Sequence, residues 1–149
     1  MSGPEPVPPQ RPSERTQAYA ILQSAERIDR LLADALRVAA PGAGVVGVTP
    51  ALILCELERA GPARPTQLQA VSGLTSGGVT KTLDRLEAHG LIARRTNAVA
   101  GDRRGISVEL TREGASVAAA IGAAILARAG DLRAGTDLLA GVLGPVIGR

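Results

Sequence analysis

The chain has 149 residues, of which 45% are hydrophobic and only 1% aromatic. This length suffices for one domain with a real core, which aliphatic side chains and alanine must build. Seventeen basic residues oppose fourteen acidic ones, and the formal net charge of +3 is too small to indicate a nucleic-acid partner by itself. The positions of the arginines therefore carry more information than their total number.

Cysteine and histidine usage excludes two classes of site. The single cysteine, Cys55, rules out an intrachain disulfide, and one histidine with one cysteine cannot form a protein zinc site. No apolar run reaches the length of a membrane span, and the N-terminus has no apolar signal core. We therefore expect a cytoplasmic protein without membrane association, metal or cofactor.

The N-terminal region divides into a tail and a long helix. Residues 1–12 hold five of the ten prolines, which predicts a disordered tail. Ser13 is a candidate N-cap, and a helix is predicted from there to Val38. A helix this long needs a partner for its apolar stripe, either a C-terminal helix or a second subunit. The residues of the stripe are Ile21, Ala25, Ile28, Leu32 and Leu36.

Two shorter helices are predicted next. Residues 41–44 break the first helix, and residues 45–48 are a candidate extended piece. Thr49 as N-cap and Pro50 as first helical residue would begin a helix to about residue 60, apolar on most sides as in a core. A further short helix is predicted over residues 65–71.

Residues 74–92 contain a helix start, an apolar stripe and a helix stop. Thr75 is a candidate N-cap, and Gly90 is a candidate for the left-handed position after the helix. Val79, Leu83 and Leu86 recur at helical spacing. Two short helices joined by a few residues that include glycine form a helix-turn-helix, in which the second helix reads DNA. The predicted outer face holds Gly77, Lys81, Asp84 and Arg85, with Thr80 on its flank.

A hairpin and two C-terminal helices complete the prediction. Strands over residues 91–95 and 106–110 flank a polar tip, in the position of the wing of a winged helix. Thr111 would cap a helix to about residue 129, and residues 131–149 are predicted to form a short or kinked helix or helix pair because glycine and proline interrupt them. The predicted fold class is mainly α with a small β-hairpin wing, in a single domain over residues 13–149. A winged helix-turn-helix over residues 48–110 is flanked by dimerisation helices over residues 13–40 and 111–149.

Three motifs in this order resemble the signature of the MarR (multiple antibiotic resistance regulator) family. They are LDRLEAHGLI at residues 83–92, DRR at 102–104 and LTREG at 110–114. The resemblance covers about residues 48–120 and implies a winged-helix transcriptional regulator that acts as a homodimer. Members of this family are often released from DNA by small aromatic or phenolic ligands, and in some branches by cysteine oxidation. The chain departs from the pattern in a longer hairpin loop and in Arg64, where a Thr or Ser N-cap is common.

The helix over residues 75–89 is predicted to enter the major groove of double-stranded DNA. Lys81 and Arg85 can donate to guanine acceptors or phosphates, and hydroxyl side chains can serve either bases or phosphates. Gly77 would let the helix approach the DNA backbone closely. A plain solvated helix face is the alternative. The hydroxyl candidates are Thr75, Ser76 and Thr80.

The hairpin is rich in arginine: Arg94, Arg95, Arg103 and Arg104. We expect Arg103 and Arg104 in the wing, residues 96–105, to enter the minor groove, whose narrow parts attract arginine. By resemblance, Asp102 pairs with a neighbouring arginine and fixes the hairpin. A plain polar turn is the alternative.

Four other residues are assigned by their surroundings. Thr66 and Gln67 are candidate phosphate contacts from the first helix of the helix-turn-helix. Cys55 lies in an apolar run, and a buried structural thiol is favoured over a redox switch. His89 is expected to interact with the dipole at the end of its helix. Tyr19 is expected to pack rather than to line a pocket or the dimer seam.

The predicted function is a homodimeric repressor that reads a pseudo-palindromic operator. The implied partners are double-stranded DNA, a second copy of the chain and, by resemblance, a small apolar effector. The alternative is a winged-helix module for protein contacts without sequence-specific DNA binding. An enzyme is disfavoured, because Gly77-Gly78 follows no strand and the sequence shows no nucleophile with a base, paired carboxylates or phosphate loop.

Overall fold

The described part of the chain is mainly helical. A computed structural model describes residues 13–96 and 105–147, and the predicted tail over residues 1–12 lies outside them. The elements follow in the order α1 (Glu14–Ala39), α2 (Val48–Ala60), α3 (Pro65–Ser72), α4 (Ser76–Ala88), β1 (Ile92–Thr96), β2 (Ile106–Leu110), α5 (Arg112–Leu126) and α6 (Ala129–Ile147). This order confirms the predicted class, a helical fold with a two-stranded antiparallel wing.

The long first helix begins where the sequence predicts. The Ser13 hydroxyl accepts a hydrogen bond from the Thr16 N–H, and α1 packs along α6 and against α5. The predicted stripe is wrong in detail, because Ala25 is exposed and the buried positions include Ser24. Ser24 is small, and its hydroxyl donates to the Ala20 carbonyl at 2.8 Å, so α1 can pack closely there without an unsatisfied polar atom.

The start of α2 differs from the prediction. Residues 45–47 form no strand, and Gly47 rather than Thr49 is the N-cap, with a φ of 90° that favours glycine. Pro50 then lies in the first turn, where backbone N–H groups have no acceptor inside the helix, so its missing N–H costs little.

A single aliphatic core joins α1, α2, α3, α4, the hairpin and α5. The composition requires this, because the chain has only one aromatic residue. Each large side chain that is completely buried is expected to contribute about 1.5–3 kcal/mol relative to its exposed state. These side chains are Ile53, Leu54, Leu68, Leu83, Leu86, Leu91, Val108 and Ile121.

The wing is anchored at its base on the helix-turn-helix. Strands β1 and β2 pair antiparallel with Ile92 opposite Leu110, as predicted to within one residue. The segment before α3 adds a bridge, since Ala63 and Val108 exchange two backbone hydrogen bonds of 3.0 and 2.8 Å. The orientation of the wing base is therefore tied to the position of α3.

A corner of backbone contacts joins the end of α4 to the start of α5. The Thr111 hydroxyl donates to the Gly90 carbonyl at 2.5 Å and accepts from the Gly114 N–H at 3.0 Å. The Thr111 N–H donates to the Leu91 carbonyl at 3.0 Å. Gly114 is buried so closely against this carbonyl that a Cβ at position 114 would overlap its oxygen. We call Gly90, Leu91, Thr111 and Gly114 the α4–α5 corner.

The C-terminal region forms neither a short helix nor a helix pair, which were two of the predicted alternatives. Helix α6 is one helix of 19 residues. Gly135, one of its glycines, is buried where a Cβ would lie 3.1 Å from Cγ1 of Ile28, so the glycine permits a close contact with α1. This packing offsets the poor helix propensity of glycine. Among the described residues no single helix is long and apolar enough to cross a membrane, and α5 with the first part of α6 reaches that length only as a pair bent by 62°.

We predict that Gly114→Ala lowers the free energy of unfolding by about 3 kcal/mol, the upper end of overpacking costs, because the new methyl group overlaps the Leu91 carbonyl. Gly122→Ala in the same helix is the matched control. A Cβ there meets no atom within 4 Å, and the substitution should raise the stability by about 0.5–1 kcal/mol. Urea denaturation of both variants checks this, and equal effects would contradict the close packing at the α4–α5 corner.

Candidate nucleic-acid interface

Helix α4 is defined at both ends by its own residues. The Thr75 hydroxyl accepts from the Gly78 N–H at 3.2 Å. At the other end Gly90 has a φ of 69°, and the backbone N–H groups of Gly90 and Leu91 donate to the carbonyls of Glu87 and Leu86, both at 2.9 Å. This is a Schellman motif, and it confirms the predicted helix start and stop.

The outer face of α4 is open. Gly77, Lys81 and Arg85 are spaced by four residues and lie on one exposed side, and a Cβ at Gly77 would meet nothing within 4 Å. The Thr80 hydroxyl donates to the Ser76 carbonyl at 3.0 Å, which leaves its oxygen as an acceptor for an external partner. The exposed residues Thr75 and Ser76 lie at the N-terminal end of the same helix.

The basic residues of the hairpin are not equivalent. The Arg94 guanidinium binds Asp84 at 2.7 Å and Glu87 at 2.5 Å, both on α4. The Arg95 guanidinium pairs with Glu109 on the neighbouring strand. Two of the four hairpin arginines therefore form ion pairs within the protein. The sequence alone did not distinguish these two from the other two.

Of the basic residues described between positions 48 and 112, three form ion pairs with described residues: Arg59 with Glu56, and the two hairpin arginines. The others have no ion-pair partner among the described residues and are exposed. This division separates basic side chains with a partner in the protein from those available to an external anion. The available ones are Arg64, Lys81, Arg85 and Arg112.

One of the two candidate phosphate contacts on α3 forms a hydrogen bond at the N-terminus of that helix. The Gln67 side-chain oxygen accepts from the Arg64 N–H at 2.8 Å and supports the N-terminus of α3, where Arg64 makes no side-chain cap. This is the half of a capping box that Glu or Gln supplies, and it satisfies the Arg64 N–H rather than the first-turn N–H groups that a Ser or Thr N-cap would bind. Thr66 is exposed in the first turn.

The wing tip lies outside the described residues. Residues 97–104 include Asp102, Arg103 and Arg104. Their predicted roles, pairing within the hairpin for Asp102 and entry into the minor groove for the two arginines, stay predictions. Strands β1 and β2 define only where the tip leaves and returns to the wing base.

His89 connects α4 to the loop between α1 and α2. It is the C-cap of α4, close to where the sequence placed it, and its N–H donates to the Arg85 carbonyl at 3.1 Å. Its imidazole ring lies so close to the backbone of Gly44 that a Cβ at position 44 would overlap it. The histidine therefore packs on this loop, a contact that the sequence did not indicate.

Cys55 lines a small apolar cavity between α1, α2 and α5. The cavity has a volume of about 180 Å³. The cysteine is partly buried rather than fully buried, and burial, followed by the charge of Glu58, raises the pKa of its thiol above the ordinary value. This direction disfavours the reactive thiolate and agrees with a structural role. Within the described residues no group of three His, Cys, Asp or Glu side chains is placed to hold a metal ion. The cavity is lined by Leu32, Leu36, Val48, Ala51, Leu52, Cys55 and Ile125.

Comparison with known proteins places the winged-helix region in a family. Residues 48–106 match the model of the MarR family. The chain is 38% identical over 65 residues to the multiple antibiotic resistance protein MarR of Salmonella typhimurium and 35% identical over 65 residues to that of Escherichia coli. These matches span 44% of this chain and 44% of each relative, so less than half the length of either relative is compared.

Solved structures of similar fold cover most of the chain. A mutant MarR from Escherichia coli in complex with operator DNA has a TM-score of 0.60 at 25% identity, over 86% of this chain and 80% of that one. The apo form of wild-type MarR has a TM-score of 0.59 at 25% identity, over 91% and 86%. Overoxidised AbfR bound to DNA has a TM-score of 0.57 at 25% identity, over 74% and 79%.

We predict that iodoacetamide alkylates Cys55 more slowly in the folded protein than in protein unfolded in urea at neutral pH. The raised pKa of the thiol leaves less thiolate at a given pH, so the rate in the folded state should still rise with pH where the rate of the unfolded protein has already levelled off. Mass spectrometry of quenched samples measures both rates. Equal rates in the two states would contradict this environment.

Proposed function

We propose that the chain is a winged-helix transcription regulator of the MarR family and that it is a cytoplasmic DNA-binding repressor that acts as a homodimer. The observation that carries this proposal is the outer face of α4, on which Gly77 leaves space and Lys81 and Arg85 have no ion-pair partner among the described residues. MarR-family transcription regulators are not enzymes, which agrees with the sequence, in which an enzyme is disfavoured.

We propose that α4 enters the major groove of the operator. A helix with its side chains is about 10–12 Å wide and the groove about 12 Å, so the open face can reach base edges. Lys81 and Arg85 would donate to guanine or to phosphates, while Thr80 would accept, because its hydrogen is already used within the helix. The similar solved structures that contain DNA support this mode.

Three further groups complete the proposed contact. Thr75 and Ser76 at the start of α4 would bond to bases or phosphates. Thr66 and Gln67 would contact phosphates from α3, with Gln67 using its amide N–H groups, since its oxygen is occupied. The wing over residues 96–105 would lie along the minor groove, with Arg103 and Arg104 inserted and Asp102 fixing the hairpin.

Exposed apolar side chains support a homodimer built from the terminal helices. Tyr19 and Leu22 of α1 are 62% and 68% exposed, and Leu138 of α6 is 52% exposed. Exposed large apolar side chains on two helices that pack together favour a contact surface. The proposed dimer would present its two α4 helices about one helical turn apart, ~34 Å, and would therefore read a pseudo-palindrome.

The apolar cavity beside Cys55 supports a small apolar effector. Its lining residues belong to α1, α2 and α5 and include no charged side chain. Transfer of an apolar compound from water into this cavity is favourable, because apolar surface is buried. Binding of a charged group would be unfavourable, because the charge would lose its hydration. We propose that an effector of this kind releases the protein from DNA by favouring a different arrangement of these helices.

We predict that Lys81→Ala and Arg85→Ala each weaken binding to the DNA upstream of the chain's own coding sequence. If each side chain contacts a phosphate, each variant should also lower the slope of log affinity against log salt by about 0.9 per protomer. Arg59→Ala is the matched control, because this arginine is exposed but paired with Glu56. Anisotropy titrations between about 50 and 200 mM salt measure both quantities.

The same titrations test the alternative of a winged helix used only for protein contacts. If the affinity of the wild-type protein for duplex DNA does not change with salt concentration, the proposed DNA binding is wrong. Slopes that stay unchanged in both the Lys81 and Arg85 variants would move the contact elsewhere on the protein.

We predict that toluene, as a neutral apolar probe, raises the midpoint of thermal unfolding, because a ligand that binds only the folded state stabilises it. Leu52→Trp should remove this shift by filling the cavity, whereas Leu126→Trp, at a side chain that is 74% exposed and outside the cavity, should retain it. Differential scanning fluorimetry measures the shifts, and an equal shift in both variants would mean that toluene binds elsewhere.

A further inference from the structure

Arg94 links the wing to two carboxylates of the reading helix. Its two terminal nitrogens bind Asp84 and Glu87 separately, and its backbone N–H also donates to Glu87 at 3.2 Å. Only 24% of the Arg94 side chain is exposed, against 58% for Asp84. The arginine is thus held in place by three hydrogen bonds, while the carboxylate of Asp84 faces solvent on the same side as the proposed DNA contact.

Without Arg94, Asp84 would have another basic residue within reach. Lys81 precedes Asp84 by three positions, and residues at this spacing are neighbours on a helix surface. No ion pair joins Lys81 and Asp84 while Arg94 occupies the carboxylate. Opposite charges at this spacing on a helix surface attract each other, so a free Asp84 would compete with DNA for Lys81.

The charge of α4 depends on the same arginine. The helix carries two basic residues, Lys81 and Arg85, and two acidic ones, Asp84 and Glu87, so its own charges cancel. Helix α4 together with the bound Arg94 side chain has a net positive charge. Phosphates repel an uncompensated carboxylate at the interface, so the loss of Arg94 would act against DNA binding even where no contact is broken.

We propose that Arg94 is a positioning residue for DNA binding: by holding Asp84 and Glu87, it keeps Lys81 free for the DNA and offsets one of the two negative charges of the reading helix. This inference rests on the proposed function, in which Lys81 contacts DNA. Arg94 itself acts through these side chains and not by touching the nucleic acid.

The chain supplies a matched control in the next residue. Arg95 is also an arginine of β1, but its one carboxylate partner, Glu109, lies on β2 and not on α4. Arg95→Gln removes the same charge from the same hairpin and leaves Asp84 engaged. A comparison of Arg94→Gln with Arg95→Gln therefore separates the release of Asp84 from a general loss of positive charge.

The test measures the affinity of the full chain for a labelled duplex of random sequence between about 50 and 200 mM salt. Arg94→Gln should weaken binding roughly threefold to tenfold and lower the salt slope by about 0.9 per protomer, the loss of one phosphate contact. Adding Asp84→Asn to Arg94→Gln should restore both, because the competing carboxylate is gone. Arg95→Gln should leave the slope unchanged.

Lys81→Ala provides the second readout. In the wild-type background it should lower the slope, whereas in the Arg94→Gln background it should have almost no further effect, since Lys81 is already captured. If thermal unfolding shows that Arg94→Gln does not fold, Arg94→Lys replaces it. A lysine has a single nitrogen in place of the two guanidinium nitrogens that bind Asp84 and Glu87 separately. The same comparison with Lys81→Ala is then made.

The outcomes separate this inference from the proposed function. If the wild type binds with a clear salt slope but Arg94→Gln behaves like Arg95→Gln, the inference is wrong and the DNA-binding proposal stands. Failure of Asp84→Asn to restore binding would likewise overturn it, since Arg94 would then act only as a structural brace. If the wild type itself shows no salt-dependent binding, the proposed function is wrong, and the inference that rests on it is wrong as well.

Discussion

The arrangement of the winged helix depends on the α4–α5 corner. Thr111 satisfies backbone groups on both sides of this corner, and buried Gly114 lets the helices meet without a side chain between them. Helix α5 in turn packs against α1 and α2. The direction in which α4 presents its outer face is therefore set by a few backbone hydrogen bonds and one glycine, and not by the side chains of that face. The face can vary in sequence while its placement stays the same.

Much of the fold follows from signals that are local in the sequence. Ser13, Thr75 and Thr111 each cap the helix that they precede, and Gly90 ends α4, because these effects involve hydrogen bonds within one turn of the chain. The features that the sequence could not indicate depend on contacts between residues far apart in the chain. Gly135 reads as a helix breaker until Ile28 of α1 is seen to lie against it.

The candidate site shows the same division between local and distant information. Periodicity predicts which residues of α4 face outward, and the structure places Lys81 and Arg85 there. The roles of the hairpin arginines were not predictable, since a count of charges does not reveal that Arg94 reaches back to α4 or that Arg95 reaches across the hairpin. Gln67 likewise needs its oxygen for the start of α3, although its spacing relative to Arg64, three residues apart, was a signal for this role.

The small net charge of the chain is compatible with the proposed DNA binding, because binding depends on the free basic side chains near the interface and not on the total. Ion pairs within the protein leave Lys81 and Arg85 as the available cations on the described part of the reading face. Two such contacts per protomer give modest affinity. A homodimer doubles the number of these contacts on one operator. Once one protomer has bound its half-site, the other protomer is held near the second half-site at a high effective concentration. The proposed dimer fits this charge distribution, because a single protomer offers few free basic side chains to phosphates on the described part of its reading face.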